Sequence, residues 1–290
     1  METPSSSSIA RPAPDIQARV TKRLADFPWC VLFVLLVGAL LIYNFLTNET
    51  YQKTLSTLAT GIKLTIVTTI SAFSFSIVLG LITAFGQMAK NVIFRNLAML
   101  YVQIIRGIPV LVLIFYTALV IVPGGIILIN HLGNWMVSLN LINAENWLVT
   151  LTARDVDFII RGVIALAINY GAFSSEIFRA GIQSIEKGQI EAAKALGFSW
   201  WQTMRLVILP QAIRRILPPL GNDFISMLKE SSLVSVLGVN EITQVAKKYS
   251  AASFLYPETY NTTAFLYLTM TLILSMGVKF MERRLKVGER

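Results

Sequence analysis

Charge is scarce in this 290-residue chain: Asp, Glu, Lys and Arg together make up 14%, against about 25% in soluble domains. A soluble fold of one or two domains, the expectation at this length, would not leave so little polar surface. Disorder is excluded as well, because it needs low hydrophobicity and high net charge. Cysteine is limited to Cys30, which rules out an internal disulfide; in its apolar run it reads as a small lipid- or helix-facing hydrophobe. Histidine is limited to His131, so no His-based metal site and no Ser-His-Asp or Cys-His set is available, and His131 itself reads as an interfacial polar residue. No G-x-x-x-x-G-K-[ST] phosphate loop occurs, so the chain is not expected to hydrolyse ATP. What is abundant is apolar side chain, 54% of the residues, with a mean hydropathy of +0.63. A formal net charge of +9 stands against this background. In a soluble chain it would raise nucleic acid as a partner; here it raises membrane topology.

A transmembrane helix needs about 20 mostly apolar residues, and six stretches qualify, which predicts an all-α integral membrane protein. The first, Trp29 to Leu46, carries no charge and follows a Ser-, Pro- and Arg-rich leader over 1–28. A signal peptide is the weaker reading, because the leader is long and no A-x-A-like site follows Leu46; a retained anchor is expected. The second runs from about Thr60 to Gly86 and is rich in hydroxyls, from Thr65 to Thr83. These suit either tight helix packing or a polar path. The third, roughly Tyr101 to Val122, is expected to stop at Pro123-Gly124-Gly125. Residues 126–141 are polar enough, with Asn130, His131, Asn134, Ser138 and Asn140, to predict an interfacial amphipathic segment. The fourth span covers about Val156 to Ile177, and the sixth about Tyr260 to Val278. The fifth, about Ile213 to Gly238, carries Pro218, Pro219, Asp223, Lys229 and Glu230. Charges in a span usually face the bundle interior or water, and broken helices survive only where neighbours or a cavity satisfy the backbone.

Six spans place both termini on one side. On that side the leader holds four Lys or Arg, the second-to-third connection three, the fourth-to-fifth connection six and the tail five, 18 in all; the opposite side holds Lys53, Lys63, Arg154, Arg161, Lys247 and Lys248, and Lys229 lies within a span. The 18-to-6 split follows the positive-inside rule and predicts cytoplasmic termini. A seventh span at 126–141 would spoil it. The excess charge is thus a topology signal, with no nucleic acid needed to explain it.

The connection between the fourth and fifth spans, about 181–212, is the most distinctive stretch: GIQSIEKGQIEAAKALGFSWWQTMRLVILP. Strong helix formers predict a short helix over Gln189 to Leu196, with Gly197 as its left-handed cap. A second helix is expected from about Ser199, disturbed by Pro210. Ala192, Ala193 and Ala195 would let the short helix press closely on a partner surface; an interfacial helix lying on the membrane, anchored by Phe198, Trp200 and Trp201, is the competing reading.

At this stretch the sequence resembles the permease subunits of ABC importers, whose EAA loop has Glu-Ala-Ala, three residues, Gly, nine residues, Ile, one residue, Leu-Pro. Glu191-Ala192-Ala193, Gly197, Val207 and Leu209-Pro210 stand at that spacing, with Val207 in place of Ile. YVQIIRGIPVLVLIFY (101–116), residues 167–197 and residues 209–242 are similar to the histidine/glutamine/arginine permease branch, with Ile108 and Ser231 where Thr is usual. The likeness covers about 57–285; the leader, the extra helix 29–46 and the long 123–156 connection depart from it.

The resemblance implies a type I ABC importer permease core with an extra N-terminal helix, in the bacterial cytoplasmic (inner) membrane. It implies a second permease chain, identical or paralogous, an ABC ATPase subunit that binds ATP and Mg, and an extracytoplasmic substrate-binding protein that delivers an amino acid. No cofactor is implied in this chain. It places the ATPase coupling contact at Gly188, Gln189, Glu191, Ala192, Ala193, Lys194, Ala195, Leu196, Gly197 and Phe198. A zwitterionic substrate needs partners of both signs, which makes Glu176, Asn222, Asp223, Lys229 and Glu230 candidate liners of the path; Glu176 and Arg179, three apart, could instead simply pair. Arg106 reads as an interfacial anchor or cap beside Pro109. A secondary carrier or channel would use the fifth span as its broken site helix, and a membrane scaffold would need no site; neither calls for an Ala-rich helix at the EAA spacing.

Overall fold

A computed structural model of the protein describes residues 29–286, with side chains described over 36–285. The leader, the side chain of Cys30 and Arg290 lie outside the described residues. The chain divides into two compact units, Met1–Asn48 and Glu49–Arg290. The described part of the first is α1, Trp29–Thr47.

The second unit is built of helices: α2 (Glu49–Ala59), α3 (Ile62–Gln87), α4 (Val92–Gly107), α5 (Val110–Ser138), α6 (Phe158–Gln183), α7 (Lys187–Ala195), α8 (Leu209–Glu230), α9 (Ile242–Ser253) and α10 (Tyr256–Lys286). Four helical runs among the described residues are long and apolar enough to cross a membrane: Glu49–Gln87, Val110–Ser138, Phe158–Gln183 and Tyr256–Leu285. The first expected span falls on α1. The fifth falls on α8, whose charges and two internal prolines set it apart from the others.

The centre is the α3–α6 pair. A Cβ at Gly80 would meet the Ser174 side chain at 2.8 Å, so glycine lets the two backbones approach as small residues do in membrane helix pairs. Ala72 clusters with Ala165, and Ala84 with Phe178, so the two helices advance together and are parallel. Parallel α3 and α6 require an odd number of crossings between them, and α5 supplies one. Thr65, Thr68, Thr69, Ser76 and Thr83 are buried, Thr65 against α9, whose Ile242 N–H donates to its hydroxyl. Thr65 and Thr69 donate to carbonyls four residues back, those of Gly61 and Thr65. Of the two readings of the hydroxyl-rich span, close packing is therefore the one its buried members serve.

Two expectations on α5 are corrected. The third span is expected over Tyr101 to Val122, but the chain breaks at Ile108-Pro109: α4 ends at Gly107, where Ile108 turns extended, as a residue before proline must. The Pro123-Gly124-Gly125 stop is not a stop, and 126–138 is no separate interfacial segment but the continuation of α5. A π-turn over Thr117–Ile121 explains both. Val122 N–H donates to the Thr117 carbonyl, five residues back. Proline in a helix clashes with the carbonyl four residues before it; one extra residue in the preceding turn moves that carbonyl aside. The same device recurs at Met204–Ile208, where Leu209 N–H donates to the Met204 carbonyl and Pro210 follows.

The first bulge frees the Ala118 carbonyl, and Arg161 takes it: Nη1 donates to Ala118 O at 3.0 Å. Arg161 is buried, its Nε donates to Val156 O at 3.0 Å and its Nη2 to Ala153 O. The long connection is folded back in the same way. Asn130 Nδ2 donates to Leu151 O at 2.9 Å, and Thr152 and Asp155 form a capping box, whose hydrogen bonds from Thr152 hold the Asp155 carboxyl below the ordinary carboxylate range.

The fifth span also ends earlier than expected. α8 stops at Glu230, a 3-10 turn covers Ser231–Leu237, and Gly238 closes it with φ 82°. Beyond it, buried Glu241 caps α9 by accepting from Gln244 N at 2.8 Å and is held by the Tyr267 hydroxyl at 2.7 Å.

Candidate functional site

The most distinctive surface element is α7. It begins two residues before the expected start and ends one before the expected end. Gly197 has φ 80°, as the sequence requires. Phe198 N–H donates to Ala193 O at 3.0 Å and Gly197 N–H to Lys194 O at 2.9 Å, the paired bonds of a Schellman cap. Immediately after it, Ser199 and Gln202 form a capping box that starts the next helical turn, Trp200–Thr203. The π-turn and α8 follow without a break, so α7 is joined to α8 by a rigid corner.

Two side-chain bonds brace the corner. Gln211 Nε2, on α8, donates to Gln189 Oε1 at 2.6 Å. Arg215, one turn further, donates to the Ser184 carbonyl. Eight of the ten residues named for a partner contact are exposed: Gly188, Gln189, Glu191, Ala192, Lys194, Ala195, Leu196 and Gly197. The other two are less exposed: Ala193 is buried on the inner face of α7, and Phe198, just past the Gly197 cap, is half-buried. Leu196 is 77% exposed, a large apolar side chain at the tip of that face.

The residues named for a path do not form one group. Asn222 and Lys229 are exposed. Asp223 and Glu230 stand two turns apart on one face of α8, and Asp223 Oδ2 and Glu230 Oε2 are both buried without a hydrogen-bond partner. The Tyr170 hydroxyl of α6 lies within electrostatic reach of both carboxylates. Sequence reading missed Tyr170, because nothing in an apolar run distinguishes a tyrosine that faces two acids. Such a cluster has spare acceptors for a group that donates hydrogen bonds and carries positive charge.

Glu176 belongs elsewhere. It pairs with Arg179 at 2.6 Å, as the three-residue spacing allows, and accepts from Gln87 Nε2 at 2.9 Å. Arg106 lies over the Phe173 ring, 5.4 Å from its centroid, and lines a cavity of about 350 Å³ with Glu176 and Arg179. Its reading as a cap beside Pro109 is therefore corrected: its side chain reaches across to α6.

The chain is similar to known transport proteins over most of its length. Residues 76–287 match the family model described as the binding-protein-dependent transport system inner membrane component. The glutamine transport system permease protein GlnP of Escherichia coli (strain K12) is 33% identical over 227 residues, which is 78% of this chain and 92% of that one. The arginine transport system permease protein ArgU of Corynebacterium glutamicum (strain ATCC 13032) is 34% identical over 290 residues, covering 97% of this chain and 86% of that one. Among solved structures, a chain of an amino acid ABC transporter with histidines is 34% identical with a TM-score of 0.65, over 83% of this chain and 98% of that chain. A chain of the inward-facing MetNI methionine ABC transporter, 18% identical with a TM-score of 0.58, shares the fold over 79% of this chain and 95% of that one. With well over half its length matched, the chain belongs to the family of binding-protein-dependent transport system inner membrane components.

Proposed function

We propose that this chain is the permease subunit of an ATP-driven ABC importer of polar amino acids. The observation that carries the reading is α7: a short, exposed, Ala-rich helix capped at its C-terminal end and braced near its N-terminal end to α8 by Gln211. A partner can move a membrane helix only through a rigid contact, and it shifts the transporter between states only by binding one state better. A capped helix tied to α8 meets the first requirement where a flexible loop would not. The partner is an ABC ATPase subunit that holds ATP and Mg. A second permease chain completes the pathway, and an extracytoplasmic binding protein delivers the substrate. Transport relatives named for glutamine and arginine support the amino-acid class.

Within the chain, 57–285 is the permease domain, 29–46 an added helix and 1–28 a cytoplasmic leader, in a bacterial inner membrane with both termini cytoplasmic. The coupling contact is the exposed face of α7. Asp223 and Glu230, facing Tyr170, are the residues best suited to an amino acid's ammonium group. Glu176 is engaged with Arg179 and Gln87, and its part in any path is secondary.

Reconstitution with the cognate ATPase and binding protein, followed by a screen of amino acids for stimulated ATP hydrolysis, tests the reading. Glu191→Lys should abolish stimulated uptake while the chain stays in the membrane. Uptake that survives this change, or that ignores vanadate, would point instead to a secondary carrier.

A further inference from the structure

The cavity around Arg106 is not explained by coupling or by the acid cluster on α8. Its polar lining is Gln87, Gln103, Arg106, Glu176, Arg179 and Gln183. Arg179 is committed to Glu176 at 2.6 Å and to Gln183 Oε1 at 3.1 Å. Arg106 is near enough to Glu176 to act on it electrostatically, yet among the described residues it makes no ion pair. Two guanidinium groups against one carboxylate leave one positive charge in excess, surrounded by three amide side chains that can donate hydrogen bonds. That is a receptor for a singly charged oxyanion.

The depth of the cavity says where such an anion comes from. Gln87 is the last residue of α3 and Gln183 the last of α6, and each helix has 26 residues. At about 1.5 Å per residue they span about 39 Å, close to the full bilayer thickness with its headgroups, about 40–45 Å. The cavity therefore opens at the headgroup level of the side on which both helices end, and its floor at Arg106, over Phe173 ten residues before the end of α6, lies about 15 Å inward. Beside it, α4 exposes Leu100 and Ile104, one turn apart on either side of Gln103, an apolar strip for acyl chains. Basic pockets between membrane helices on the cytoplasmic side take anionic headgroups.

We infer that this cavity binds the phosphate of an anionic phospholipid of the adjacent leaflet, with Arg106 as its cationic contact and Gln103 as a flanking donor. The full-length chain, purified in detergent and equilibrated with phosphatidylglycerol and phosphatidylcholine of equal acyl chains, provides the test, with native mass spectrometry to count retained lipids. The wild-type chain should prefer phosphatidylglycerol by about fivefold. Arg106→Gln should bring the ratio close to one, Arg106→Lys should keep part of the preference, and Gln103→Glu should lower it with the arginine intact. Equal preference in wild type and all variants would overturn the inference. So would displacement of the lipid by inorganic phosphate or by a free amino acid, which would assign the cavity to a soluble anion or to the transported solute. Arg205→Gln, outside the cavity, should leave the ratio unchanged.

Discussion

Gly197 is the residue on which the exposed helix turns. Its φ of 80° is costly for a side chain with a Cβ, by about 1–2 kcal/mol, whereas nothing lies within 4 Å of a Cβ built there. The cost is therefore conformational and not steric. Gly197→Val should loosen the Schellman corner and depress ATP-driven uptake while leaving chain abundance in the membrane unchanged, and Gly197→Asn, which tolerates the left-handed region, should retain most of it. Equal uptake by the two variants would count against a conformational role. Arg161 makes a different argument. It is buried and its guanidinium is spent on three carbonyls. Arg161→Met would leave those acceptors without a donor and should lower stability by about 3 kcal/mol, read from unfolding of the purified chain in micelles. Arg161→Lys should recover part of that loss. The first of these residues was legible in the sequence, since a glycine directly after an Ala-rich helix signals its left-handed cap. The second was not: Arg161 entered only as one positive charge among 25, because no local pattern reveals that a distant carbonyl will be vacated for it.

The same bond links residue to element. Pro123 is accommodated by the π-turn over Thr117–Ile121, and that turn is what exposes the Ala118 carbonyl to Arg161. Pro123→Ala restores an N–H that can bond four residues back, so the bulge should relax toward a regular helix and withdraw the carbonyl. Pro123→Ala and Arg161→Met then break one shared contact. In a double-mutant cycle their effects on stability should fall short of additivity by about 1 kcal/mol; strict additivity would show that bulge and arginine are independent. This pairing also explains why element boundaries were the poorest part of the sequence reading. Proline and glycine signal a stop when only propensity is weighed, and Pro123-Gly124-Gly125 was read so. A bulge supported from another helix overrides propensity, and its support lies 43 residues beyond Ala118, at Arg161. By contrast Ile108-Pro109 breaks the chain where nothing compensates, and α4 ends there.

At the scale of the whole molecule, apolar runs and positive charges were enough for the all-helical membrane class, since they depend on summed composition and not on local geometry. The residues proposed for the path were less legible, because Asp223 and Glu230 meet Tyr170 only through packing of α8 on α6. The orientation remains the strongest statement that composition makes about the molecule, and the fold sharpens it. Parallel α3 and α6 require an odd number of crossings between them; α5, Val110–Ser138, is one, and the connection after it, 139–157, holds no helix long enough for another. That connection and the turn between α6 and α7 must then lie on opposite faces of the membrane. Glu145 and Glu186 are exposed members of these two segments. In a Cys30→Ser background, Glu145→Cys should react with an impermeant maleimide in intact cells, and Glu186→Cys only once the cells are opened. Labelling of both in intact cells would contradict the parallel pair, and the reverse pattern would place the 18 positive residues outside and overturn the proposed orientation, together with the docking of an ATPase on α7.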